Sequence, residues 1–153
     1  MKPNDKVVEV LNDLTRINND RITGYEKAIK QTPDDDPELK SLFERMANES
    51  REYARELAAE VRKLGDDPSS SNTASGKIYH VWMDIRSSLS GNEEKSVLSL
   101  CEFGEDAAQR AYEKALDEKD LSISIRQLIM SQKAALRESH DIIKRERDLH
   151  KAP

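Results

Sequence analysis

The sequence predicts an all-α protein: a four-helix bundle of up-down-down-up plan whose long crossover carries a short helix. Three observations predict it. Charged residues make up 36% of the 153 positions and aromatics only 5%, a balance common in helical proteins and poor for sheets. The five prolines stand at positions 3, 33, 37, 68 and 153, so the intervals 4–32, 38–67 and 69–152 contain no residue that breaks a helix for want of an N–H. Apolar residues recur at helical spacing along four long segments of near-equal length.

The first helix, about 4–31, carries the stripe Val7, Val8, Leu11, Leu14, Asn18, Ile22, Tyr25, Ala28 and Ile29. "QTPDDDPELK" closes it and opens the second, about 37–64. Asp36 offers an oxygen to unpaired amides, Pro37 suits the first helical position, and Glu38 favours the positive helix end. The acids of this tip are a solvated hairpin rather than a calcium loop, whose ligand spacing they lack. The second stripe reads Leu39, Leu42, Phe43, Met46, Glu49, Ser50, Tyr53, Leu57, Val61 and Leu64. Gly65 is the expected stop, and "DDPSSSNTASGK" is loop by composition, its Ser, Asn and Thr supplying caps to the next helix. Within the crossover, 65–91, a short helix at about 73–89 sets Ile78, Val81, Trp82, Ile85 and Leu89 on one face to cover the bundle, with His80 off that face in solvent.

In "SGNEEK", Gly91 and then Asn92 with two acids repeat the stop and start signals. The third long helix, about 92–119, aligns Val97, Leu98, Cys101, Glu105, Ala108, Tyr112, Ala115 and Leu116. After "DEKDLSIS", with Asp120 or Ser122 as cap, the fourth, about 122–150, aligns Ile125, Leu128, Ile129, Gln132, Leu136, His140 and Ile143. Each long helix spans about 40 Å at a rise of 1.5 Å per residue. The turns at 32–36 and 120–121 force antiparallel hairpins, whereas 65–91 is long enough to cross the whole bundle. A single domain over 1–153 is expected.

Several function classes fall away on composition. A net charge of −5, mixed along the chain, offers no basic stripe to follow phosphates, so nucleic acid is not an expected partner. "MKPNDKVVEV" lacks the apolar core of a signal peptide and no uncharged run crosses a bilayer; the expectation is a soluble, cytoplasmic protein without membrane contact. Cys101 is alone, which removes an intrachain disulfide and paired-cysteine metal motifs; it reads as a small buried hydrophobe. No glycine-rich phosphate loop, G-x-S-x-G elbow or H-E-x-x-H occurs, and His150 only complements a helix end. No catalytic residue and no small-molecule substrate can be named.

One stretch resists a purely apolar core. Helix midpoints near Asn18, Ser50, Glu105 and Leu136 bring Asn18, Glu49, Tyr53, Glu105, Gln132 and His140 to the middle of the bundle, where Leu and Ile would otherwise be buried. Gly104 beside Glu105 suggests close approach of a neighbouring helix. The preferred reading is a hydrogen-bonded layer in which Glu105 accepts from Tyr53, Gln132 or His140 and fixes helix register. Two alternatives stand beside it: an atypical single metal site and a solvent-filled small-molecule pocket.

The segments "VLNDLTRINND", "GYEKA", "WMDIRSSLSGNEEKSVLSLCEFGEDAAQRAYEKAL" and "ESHDIIKR" resemble a bacterial family of uncharacterised ferritin-like four-helix-bundle proteins, a domain of unknown function. The resemblance runs over nearly the whole chain and is sharpest at "CE-x-GED", at Tyr112 and around His140. It implies a ferritin-like fold and a bacterial cytoplasmic setting, not a reaction. Relatives often carry glycine after the counterpart of Asp20, where this chain has Arg21. Ferritin-like di-metal sites take a Glu from each of two helices and Glu-x-x-His from each of the others. Here the second helix has Glu49 and Glu52 but no histidine, and Arg137 stands three residues before His140. The expected role is therefore a non-enzymatic bundle without cofactor, acting through self-association, as a dimer around Trp82, or through a protein partner. The alternative is a redox or storage protein with iron or manganese on Glu49, Glu102, Glu105 and His140.

Overall fold

The computed structural model describes residues 4–68, 77–87 and 97–151. Among them every regular element is helical: α1 Asp5–Gln31, α2 Pro37–Lys63, α3 Lys77–Ser87, α4 Val97–Ala115 and α5 Ile123–Lys151. The expected signals at Gly91 and Asn92, the expected helix starts at 73 and 92, the Ser, Asn and Thr caps, Leu89, and the side chains of Ile85 and His150 lie outside the described residues.

Local chemistry accounts for the helix ends. Asp36 accepts from the Leu39 amide at 3.1 Å with Pro37 opening α2. At its far end Gly65 takes φ +82°, while the Asp66 amide reaches the Val61 carbonyl at 3.2 Å and the Gly65 amide reaches Arg62 at 2.9 Å. These two bonds are the double closure of a left-handed glycine cap. Of the two caps expected for α5, Ser122 is the one used: its Oγ accepts from the Ile125 amide at 3.2 Å. Helix α4 stops at Ala115, short of the expected 119. The Arg126 guanidinium, donating to the Leu116 carbonyl at 2.8 Å and the Glu118 carbonyl at 2.9 Å, satisfies the acceptors a continuing helix would have used.

Bonds between helices give their directions. From Asn18 to Arg21 along α1, the α4 partners run backwards from Tyr112 to Glu105, so α1 and α4 are antiparallel. From Glu49 to Glu56 along α2, the α5 partners run from Ser139 back to Gln132. The α4/α5 pair is closed by Arg126 at one end and by Arg147 on Glu102 near the other. Helix α3 packs on α1 and α4. Asp13 of α1 receives the first-turn amides of Ile78 and Tyr79 at 3.2 and 3.3 Å, and Asp20 receives the Tyr79 hydroxyl at 2.7 Å and the Trp82 Nε1 at 3.0 Å. As the periodicity predicts, Ile78 and Trp82 are buried and His80 is exposed.

The apolar core comes in two parts. One gathers Leu11, Leu14, Ile17, Leu57, Val61, Tyr112, Ile129 and Leu136; the other gathers Tyr25, Phe43, Met46, Leu98 and Ile143. Fully burying a side chain of this size contributes about 1.5–3 kcal/mol. Between the two parts, Asn18 and Arg21 of α1, Ser50 of α2, Glu105 of α4 and Gln132 and Ser139 of α5 are buried polar side chains.

Candidate functional site

The polar belt is organised by Arg21, a residue the sequence reading treats only as a departure from relatives. It is buried, with 4% of its surface exposed. Its Nε donates to Glu105 Oε1 at 2.6 Å, Nη1 to the Met46 carbonyl at 3.1 Å and Ser50 Oγ at 2.7 Å, and Nη2 to Glu49 Oε1 at 3.1 Å and the Met46 sulfur at 3.7 Å. All five guanidinium protons therefore have acceptors. Glu105 Oε1 takes a second bond, 2.7 Å, from the Tyr25 hydroxyl. The partners of Glu105 are thus Arg21 and Tyr25 of α1, not Tyr53, Gln132 or His140. The reason is phase: Glu105 faces α1, whereas His140 meets the α5-facing side of α4.

From Ser50 the network continues across the molecule. Ser50 Oγ donates to Asn18 Oδ1 at 2.8 Å, Asn18 Nδ2 to the Tyr112 hydroxyl at 2.9 Å, Tyr112 to Gln132 Oε1 at 2.7 Å, and Gln132 Nε2 to Glu56 Oε1 at 3.0 Å. Every long helix contributes a member. Ser139 Oγ joins Glu49 from α5 at 2.8 Å. The hydrogen-bonded layer expected from the stripes is present, with Arg21 at its centre.

Electrostatics hold the charges in place. Burial, the largest single influence, opposes a charge on Arg21, but Glu105, through its charge and its hydrogen bond, together with Tyr25 and Glu49 outweighs it and drives the guanidinium pKa above its ordinary value. Burial, reinforced by Glu105, also raises Tyr25 well above a normal phenol and pushes the Cys101 thiol up to about 12. Tyr25 is consequently a neutral donor. Cys101 is a protonated, partly buried hydrophobe, as expected from its place on the stripe. Burial likewise raises Tyr112 and Tyr53, the latter with help from Glu49. Glu105 Oε2, on a side chain 1% exposed overall, has no hydrogen-bond partner.

The four residues proposed as metal ligands separate into two groups. Glu105 and Glu49 lie on either side of Arg21. Glu102 and His140 lie at the α4/α5 contact with Asp106, their ligand atoms all within 4.8 Å of one another. There His140 Nε2 is 2.7 Å from Asp106 Oδ1 and Nδ1 is 3.1 Å from Asp141 Oδ1, while Arg147 is paired with Glu102. The His140 hydrogen bond holds the Asp141 carboxyl below the usual carboxylate range. Asp106 is the member that sequence reasoning missed. Its signal was its position one helical turn after Glu102, which puts both carboxylates on one side of α4. Gly104 makes no close helix contact: a Cβ built there meets nothing within 4 Å.

No curated protein matches the chain. A family model does match, from early in α1 to the end of the α4 turn, and so takes in Arg21, Glu49 and Glu105 but no residue of α5. On that match, over residues 6–118, the chain belongs to the family described as Domain of unknown function (DUF2383).

Proposed function

We propose that this protein is a ferritin-like four-helix bundle, with α1, α2, α4 and α5 running up-down-down-up, that acts by binding rather than by catalysis. In this reading an arginine takes the role that a metal has in the middle of carboxylate bundles. The observation that carries it is Arg21, whose guanidinium engages Glu105 and Glu49 together. A cation entering between those carboxylates would meet a fixed positive charge and an Oε1 that already holds two donors. The antiparallel pairings of α1 with α4 and of α2 with α5 support that topology. Exposed Ile123 and Met130, two turns apart on α5, support self-association through that helix; Trp82 is 3% exposed within its own chain and so offers little surface for contact.

Metal analysis and melting curves test the central claim. Protein prepared without chelators is expected to carry well under one iron or manganese ion per chain and to melt at the same temperature with either ion added. A stoichiometric ion that is lost in Glu105→Gln overturns it. Sedimentation tests the association: a concentration-dependent dimer is expected, weakened by Ile123→Ser with Met130→Ser, and a monomer at high micromolar concentration removes that part.

A second reading has its own observation, the convergence of Glu102, Asp106 and His140. Two carboxylates and an imidazole suit iron, manganese or zinc. Arg147 on Glu102 and the acids at both His140 nitrogens compete for the same atoms, which makes it the weaker reading. Metal-induced stabilisation abolished by His140→Ala but retained in Glu105→Gln would establish it.

A further inference from the structure

Beside Glu105 lies a cavity of about 390 Å³ between α1, α3 and α4. Its volume is at the lower end of the range for small-molecule sites. The inner wall is Glu105, Arg21 and Tyr25, and the body is mostly apolar, with Trp82, Leu100 and Cys101 among its walls. Two helical glycines, Gly24 and Gly104, face it, and a Cβ added to either meets nothing within 4 Å. Each glycine disfavours its helix relative to alanine, and neither is needed for a turn or a close contact. Their effect at these two positions is to keep the space open.

Which ligand the inner end accepts is decided by its remaining hydrogen-bonding capacity. Arg21 already uses all five protons in hydrogen bonds, and the Tyr25 hydroxyl donates its one hydrogen bond to Glu105 Oε1. At this inner end an anion finds no strong free donor among Arg21 and Tyr25; the other cation of the lining, Lys27, is an exposed residue. Glu105 Oε2 is the opposite case, a buried carboxylate oxygen in the cavity-lining residue without any partner. Leaving such an atom unpaired is costly, so a donor that reaches it gains more than it would from a group already satisfied. Charge selects among donors. Glu49, Arg21 and Glu105 together leave one negative charge, and an ammonium at Oε2 would extend them into an alternating row.

We propose that the α1/α3/α4 cavity is a binding site for a small primary amine with an apolar body, its ammonium on Glu105 and its hydrocarbon against Trp82 and Leu100. Phenethylamine is a suitable probe, with 2-phenylethanol and hydrocinnamate as neutral and anionic matches. Titration of the full chain by calorimetry, with backbone amide NMR shifts to locate binding, is expected to give saturable binding of the amine that perturbs Gly24, Gly104 and Trp82. The alcohol should bind at least about tenfold more weakly, the difference between a charge-assisted and a neutral hydrogen bond. The carboxylate should not bind. Glu105→Gln should weaken the amine by a similar factor. Because that variant also disturbs the Arg21 hub, Gly104→Leu is the second test: it fills the cavity without touching the hub and should abolish binding while the protein stays folded. No saturation by the amine, equal affinity for amine and alcohol, tighter binding of the carboxylate, or undiminished binding in Gly104→Leu would each overturn the proposal.

Discussion

Arg21 is the residue on which the interior depends. A buried ion pair adds little net stability over a well-packed apolar pair, because both ions lose their hydration. Losing one partner is different, since the other then keeps its charge in a dry site. Arg21→Met should therefore destabilise the protein by about 3–5 kcal/mol, on the order of 10 °C in Tm for a chain of this size. Glu105→Gln is milder, because the amide oxygen still accepts from Arg21 and Tyr25 and Glu49 still answers the guanidinium; about 1–3 kcal/mol is expected. Thermal denaturation gives the order, and an Arg21→Met variant that melts with wild type would remove the hub from any structural account. The burial of Glu105 is legible in the sequence, since it interrupts an apolar stripe between Cys101 and Ala108. Its partner is not, because arginine ordinarily marks a solvated face. The spacing Leu14, Asn18, Arg21, Tyr25, Ala28 did carry the signal: Arg21 is in phase with buried residues, whereas Ile22, taken for the stripe, is only half-buried.

At the scale of elements, what is legible is what is local. The Asp36 and Ser122 caps, Pro37 and the Gly65 stop depend on residues within one turn, and each does what its chemistry requires. The early end of α4 depends on Arg126, which reaches back across a hairpin and leaves no trace in the segment it terminates. The docking of α3 is likewise a long-range matter: Asp13 and Asp20 sit two turns apart on α1, and nothing near them in sequence shows that α3 supplies their donors. Asp13 makes this contact testable by pH. Burial, partly offset by the Tyr79 amide, raises its pKa from 3.8 to about 6. The folded state therefore holds this proton more tightly than the unfolded state does. The associated stability is fully present below the unfolded pKa and is lost as pH rises through about 6. Asp13→Asn keeps an oxygen for the two amides but has no proton to lose. Melting curves at pH 7.5 and pH 5 should show wild type gaining on Asp13→Asn as the pH falls; parallel changes in the two proteins would mean that Asp13 is ionised in both states.

Across the whole molecule, the belt from Glu105 through Arg21, Ser50, Asn18 and Tyr112 to Gln132 separates two apolar clusters and touches all four long helices. Apolar stripes alone specify a bundle only loosely, because one ridge of Leu and Ile packs almost as well after a helix slides by a turn. A slide of that kind is forbidden here: displacing α1 against α4 by one turn would bury Arg21 without Glu105 and Glu105 without any donor. The belt thus trades little stability for one defined alignment, as buried polar groups do in some helical assemblies. Replacing both charges at once tests this directly. Made in a Tyr25→Phe background, so that no buried hydroxyl loses its acceptor, Arg21→Met with Glu105→Leu removes the ion pair without stranding a partner, so its Tm should equal or exceed that of the background protein, in contrast to the loss in Arg21→Met alone. Uniqueness should suffer instead. We expect broadened or multiplied amide NMR signals at α1 and α4 and increased binding of a hydrophobic dye, with helix content unchanged. A double variant that is both as stable as the background protein and as sharply dispersed would show that apolar packing and the two short hairpins suffice to set the register, leaving the buried charges free to serve the cavity beside them.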